Sequence, residues 1–139
     1  MQTTLLLSSN SRSTAGVLLL TLVAVEYGGW FMLRVVRGRQ PATPFQQSFF
    51  RAGHAHAGVL LVLALVGQIL ADAAHMSGVL AFFARTGIWA AAILMSAGFF
   101  LSATGKGVTE PNRFIVLLYV GIASLALGVV SLGIGLLTA

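Results

Sequence analysis

The sequence predicts an all-α integral membrane protein, an up-down bundle of four transmembrane helices forming a single membrane domain over 1–139. Three observations carry that expectation. The chain is 58% hydrophobic and only 8% charged, too little charge to clothe a soluble globule. Its apolar residues gather into runs, each near the ~20 residues a helix needs to cross a bilayer. The runs are continuous rather than alternating, and lipid tolerates only helices or closed barrels, so helices follow.

The first helix is expected over about 14–36. It lacks a basic start and holds Glu26 in its apolar core, and no small-x-small cleavage site follows, so it is expected to stay in the chain rather than act as a signal peptide. Arg37 to Pro44 is polar and holds Pro41 and Pro44, which marks a loop. Phe45-Gln46-Gln47-Ser48-Phe49-Phe50 mixes aromatic and amide side chains and is expected at the membrane interface. The second helix is expected over about 52–71, and Asp72 to Ser77 is a short link. The third spans about 79–103, with Arg85 snorkelling near its start. Gly105 to Asn112 forms the last loop, and the fourth helix runs over about 114–137. Pro111 and Glu110 suit the first turn of that helix, while a lid made with Arg113 is the alternative.

Arg34, Arg37, Arg39, Arg51, Lys106 and Arg113 fall at one end of these helices, and Arg12 and Arg85 at the other. The positive-inside rule then puts the first group in the cytoplasm and both termini on the non-cytoplasmic side. Basic residues flanking apolar segments account for the net charge of +5 as topology signals and lipid contacts, so no nucleic-acid partner is expected. Without cysteine, disulfides and thiolate chemistry are excluded. No phosphate loop, nucleotide motif or Ser/His/Asp set is present.

Small residues mark where membrane helices meet. The fourth helix carries Gly121, Ser124, Gly128, Ser131 and Gly135 on one face, and the third carries a looser set, Gly87, Ala91, Gly98, Ser102 and Gly105. Packing inside the bundle is the favoured reading of the fourth-helix stripe. The alternative is an interface with a second copy or a partner membrane subunit. The lipid bilayer is the expected surrounding in either case.

Ionisable groups at membrane depth are costly and become functional hypotheses by default. Glu26 lies ~12 Å in from Arg34, and His54 and His56 lie ~4.5 and ~7.5 Å beyond Arg51, at ~1.5 Å per residue. Antiparallel neighbours would bring Glu26 within about a helical turn of His56 in depth, across ~8–10 Å between axes. Such a pair could orient a metal-bound imidazole or pass a proton. Gly28 and Gly29 would admit a close neighbour or a flat cofactor beside them. Glu26 and His56 are therefore candidate catalytic groups. His54 and His56 are candidate cofactor ligands, and His54, His56 and Glu26 are candidate ligands for iron, copper or zinc. Residues two apart on a helix point ~200° from each other. Either the two histidines face different surfaces, or Gly53 and Gly58 mark an irregular helix start.

The run Arg51-x-x-His54, with Val59-x-Leu61 and Gly67 after it, resembles the second helix of subunit I in nitric oxide reductases and the related haem-copper oxidases. The resemblance covers this one helix. It implies that His54 is a haem axial ligand; the copper-site histidines of that family have no counterpart in the later helices.

Three functions are carried forward. The first is metal or haem binding, with possible redox chemistry, through His54, His56 and Glu26. The second is proton-coupled transport by an oligomer, with Glu26 as acceptor and His56 as relay. The third is a non-catalytic subunit of a larger membrane complex.

Overall fold

A computed structural model describes residues 7–139, so residues 1–6 of the expected domain lie outside the described part. The described chain is all-helical. Its helices are α1 (Ser9–Val36), α2 (Pro44–Ala73), α3 (Gly78–Ser102) and α4 (Ile115–Leu137). Each is long and apolar enough to cross a membrane.

Two helices start earlier than the apolar runs suggest, because polar caps set helix starts. Ser8 caps α1, its hydroxyl accepting the Ser11 N–H at 3.2 Å. At α2, Thr43 and Gln46 form a reciprocal capping box with Pro44 in the first turn. The aromatic segment expected at an interface is therefore the opening of α2. Phe50 packs against Phe31 of α1 and Phe100 of α3, at ring separations of 5.4 and 5.6 Å. Gly53 makes room for this layer, since a Cβ there would lie 2.9 Å from the Phe100 ring.

Gln46 also holds the α3–α4 connection. Its amide nitrogen donates to the carbonyls of Ala103 at 2.9 Å and Gly105 at 2.8 Å, and Thr43 donates to Val108. Gln46→Ala would leave two carbonyls without this donor at a site only 5% exposed. We expect a loss of about 1–3 kcal/mol, read as a lower midpoint of thermal unfolding in mild detergent, with Gln46→Glu failing to restore it because a carboxylate lacks the N–H.

The α4 start differs from expectation. Glu110 and Pro111 lie in the connection, and no acidic residue occupies the first turn of α4. Asn112 organises the junction: its N–H donates to Ser102, its amide nitrogen to Leu101, and its side-chain oxygen accepts from Phe114.

The helices pack as a chain of neighbours, α1 on α2, α2 on α3 and α3 on α4, with a lesser α2–α4 contact. The tightest seam joins α3 to α4. Gly87 faces Gly128, Gly98 faces Leu118, and Gly121 faces Met95, all too closely for an added Cβ. Ser124 donates across the seam to the Gly87 carbonyl at 2.8 Å. The α4 stripe is thus engaged within the chain, which leaves that face unavailable as the partner interface raised above. α1 forms a seam only with α2 and shows the outer world Leu20, Val23, Tyr27 and Trp30.

Candidate functional site

α2 runs as unbroken helix through Gly53 and Gly58, so the two histidines point to different surfaces. His54 turns toward α1. Its ring fills the notch at Gly28 and Gly29, where added Cβ atoms would lie 3.3 Å from Nδ1 and 3.4 Å from Cε1. Neither ring nitrogen of His54 has a hydrogen bond among the described residues. The ring borders an apolar groove of about 430 Å³ with Val25, Ala55, Gly58, Val59 and Val62.

His56 turns toward α3. Its Nδ1 lies 2.7 Å from the Ala52 carbonyl, so Nδ1 carries the proton and donates. Its ring sits 5.0 Å from that of Phe99. The expected Glu26–His56 contact does not form. Matching depth was necessary but not sufficient, because the ~200° between neighbouring-but-one positions hands the α1 side to His54.

Glu26 is exposed on α1 and makes no ion pair or hydrogen bond among the described residues. It leaves α1 ~100° around from Val25 and ~60° from Gly29. Val17 and Thr21, on the opposite flank of Val25, face a cleft shared with Trp89 and Ile93 of α3. Glu26 therefore lies on the flank away from α3, the same flank on which the His54 groove opens. Among the described residues no three His, Asp or Glu side chains come together as a metal-holding group. Glu26, His54 and His56 thus do not form the shared metal site set out as a candidate.

A second polar constellation went unread in the sequence. Arg85 does not snorkel outward. Its guanidinium lies 2.7 Å from Asp72 and 2.6 Å from the Ser11 hydroxyl. Gln68 donates to the Arg85 carbonyl at 2.7 Å and its side-chain oxygen meets Ser11 at 3.4 Å. The Ser8 N–H donates to Asp72 at 2.8 Å. Ser11 is 0% and Gln68 2% exposed. This knot joins the start of α1, the end of α2 and the start of α3. The available signal was Gln68 and Asp72, four apart on one face of an apolar helix, with an arginine early in the next.

Comparisons with protein-family models, with curated proteins and with solved structures find no match to this chain.

Proposed function

We propose that the chain is an integral membrane protein that spans the bilayer as an up-down four-helix bundle, termini outward, and binds haem through His54. The carrying observation is the His54 imidazole, half-buried, without a hydrogen-bond partner, and set at the edge of an apolar groove. At membrane depth there is no water to satisfy an imidazole left open at a groove, so an unpartnered ring here calls for a ligand.

The residues present fit haem better than a compact metal site. One imidazole suffices as an axial ligand, whereas a structural zinc site takes four protein ligands. Gly28 and Gly29 seat the His54 ring itself against α1, and Val25, Val59 and Val62 supply apolar walls to the groove beside it. When bound, haem would supply redox or small-gas chemistry. The chain's own part is to hold the ring, exclude water with those valines, and set Glu26 on the flank of the groove.

An absorption spectrum of the protein, purified in mild detergent and supplied with haem, tests this. A Soret band absent in His54→Ala and retained in His56→Ala is the expected result. A band that persists in His54→Ala, or no band after reconstitution, would sink the haem reading.

One observation favours a second reading, an accessory subunit of a larger membrane complex. Glu26 stands exposed on the outer face of α1, and carboxylates within a membrane are costly when they face lipid. A partner helix covering α1 would remove that cost. Co-purification of a partner lost in Glu26→Leu, with the fold intact, would support it.

A further inference from the structure

We propose that two copies of this chain pair through the outer flank of α1 and α2, with Glu26 of each accepting a hydrogen bond from His54 of the other. The proposal rests on the membrane-spanning reading. It adds to the haem reading without depending on it, because haem takes one nitrogen of the His54 ring and leaves the second. At membrane depth that second nitrogen has no water to turn to, and among the described residues nothing pairs with it. Histidines that hold a metal ordinarily donate the other ring N–H to a carboxylate, a backbone carbonyl or water.

The chain offers one carboxylate for that role. Of its three acidic residues, Asp72 is held by Arg85 near the end of α2, and Glu110 lies in the α3–α4 connection. Glu26 stands on a membrane-spanning helix without a partner among the described residues. Its own chain keeps it from His54. The ring rests at the notch of Gly28 and Gly29, whereas Glu26 leaves α1 ~160° around from the first and ~60° from the second, on the outward flank. Depth matches all the same. The notch lies two to three residues beyond Glu26, ~3–4.5 Å along the axis, within reach of a glutamate side chain. Copies inserted the same way round are related by a two-fold axis along the membrane normal, which preserves depth and makes each contact occur twice. An acid and an imidazole on one flank are therefore self-complementary. Ala55 and Gly58 border the groove beside His54 and let a helix come close. Leu33, Val59 and Val62 are exposed around the pair and supply the apolar remainder of the contact.

Reciprocity supplies the test. The chain has no cysteine, so Ala139→Cys gives one site for donor and acceptor dyes, and energy transfer in liposomes is followed as the protein-to-lipid ratio rises. Native chains should associate saturably. Glu26→Leu and His54→Leu each remove both contacts of a pair and should weaken association about ten- to hundredfold. Mixing the two variants restores one contact, from His54 of the Glu26→Leu chain to Glu26 of the His54→Leu chain. The mixed pair should associate about three- to tenfold more tightly than either variant with itself, a rescue that a merely structural role for either residue would not give. Native chains that stay monomeric, or a mixture no tighter than either variant alone, would overturn the proposal. The readings fail separately. Paired copies that give no Soret band with haem remove haem and leave this inference standing. Release of the protein from native membranes by alkaline carbonate removes the membrane reading, and this inference with it.

Discussion

Arg85→Ala will destabilise the protein more than any single change at an exposed position, by about 3–5 kcal/mol, the usual penalty for removing one partner of a buried pair. The reason is the asymmetry of the pair. The Arg85 side chain is 22% exposed and retains a path to water, whereas that of Asp72 is 7% exposed. Without Arg85, Asp72 keeps only the Ser8 N–H and the Ser11 hydroxyl as partners, neither of them a charge. Ser11, which is 0% exposed, loses its charged donor as well and keeps only the Ser8 hydroxyl at 3.1 Å. Asp72→Ala should therefore be the milder single change. The double change Arg85→Met with Asp72→Leu should recover most of the loss, because hydrophobic replacements of a buried pair are often neutral or better. Thermal unfolding in detergent would read the single change as a midpoint drop of order 10 °C. Hydrogen exchange should show α1 loosening first, since the knot is the only polar tie between the start of α1 and the rest among the described residues. A double variant as unstable as Arg85→Ala would show that the knot is not an ion pair in any energetic sense.

The helices were legible in the sequence, but what decides the site was not. Long apolar runs name helices without any knowledge of neighbours. The missing first turns of α1 and α2 were legible too, in Ser8 before Ser11 and in Thr43-Pro44-x-Gln46. They were masked because hydropathy discards the polar residues that cap a helix. Azimuth is different in kind. Rise per residue places Glu26 and the histidines at similar depths, yet nothing local says which way α2 is rotated against α1. That rotation is fixed by remote contacts: Phe50 between Phe31 and Phe100, and Gly53 beneath Phe100. Once they set it, His54 meets the glycine notch and His56 meets Phe99. The Asp72–Arg85 pairing was hidden for a related reason. Each residue lies near a helix end, where a charge is cheap and passes for an ordinary boundary residue.

Gly87→Leu will prevent α4 from docking on α3, and Gly87→Ala will already weaken the seam by about 1–3 kcal/mol, the ordinary cost of overpacking. A Cβ at Gly87 would lie 2.7 Å from the Gly128 Cα, 2.8 Å from the Ser124 carbonyl oxygen and 2.9 Å from the Gly128 nitrogen. Those are backbone atoms of a helix and cannot rotate aside, so the helices themselves must separate. Separation also stretches the bond from Ser124 to the Gly87 carbonyl and thins the dispersion contacts across the seam, which on the proposed membrane-spanning reading no hydrophobic drive replaces. Gly133 is the matched control on α4, because a Cβ there meets nothing within 4 Å. Gly133→Ala should leave the unfolding midpoint unchanged or raise it slightly, since alanine is the better helix former. The comparison also separates the two uses of the α4 stripe. If the stripe serves this chain's own packing, Gly87→Ala lowers the midpoint with no change in oligomeric state on size exclusion. If instead the stripe joined two copies, Gly128→Leu would yield a smaller particle of undiminished thermal stability, and the α3–α4 seam described here would be wrong.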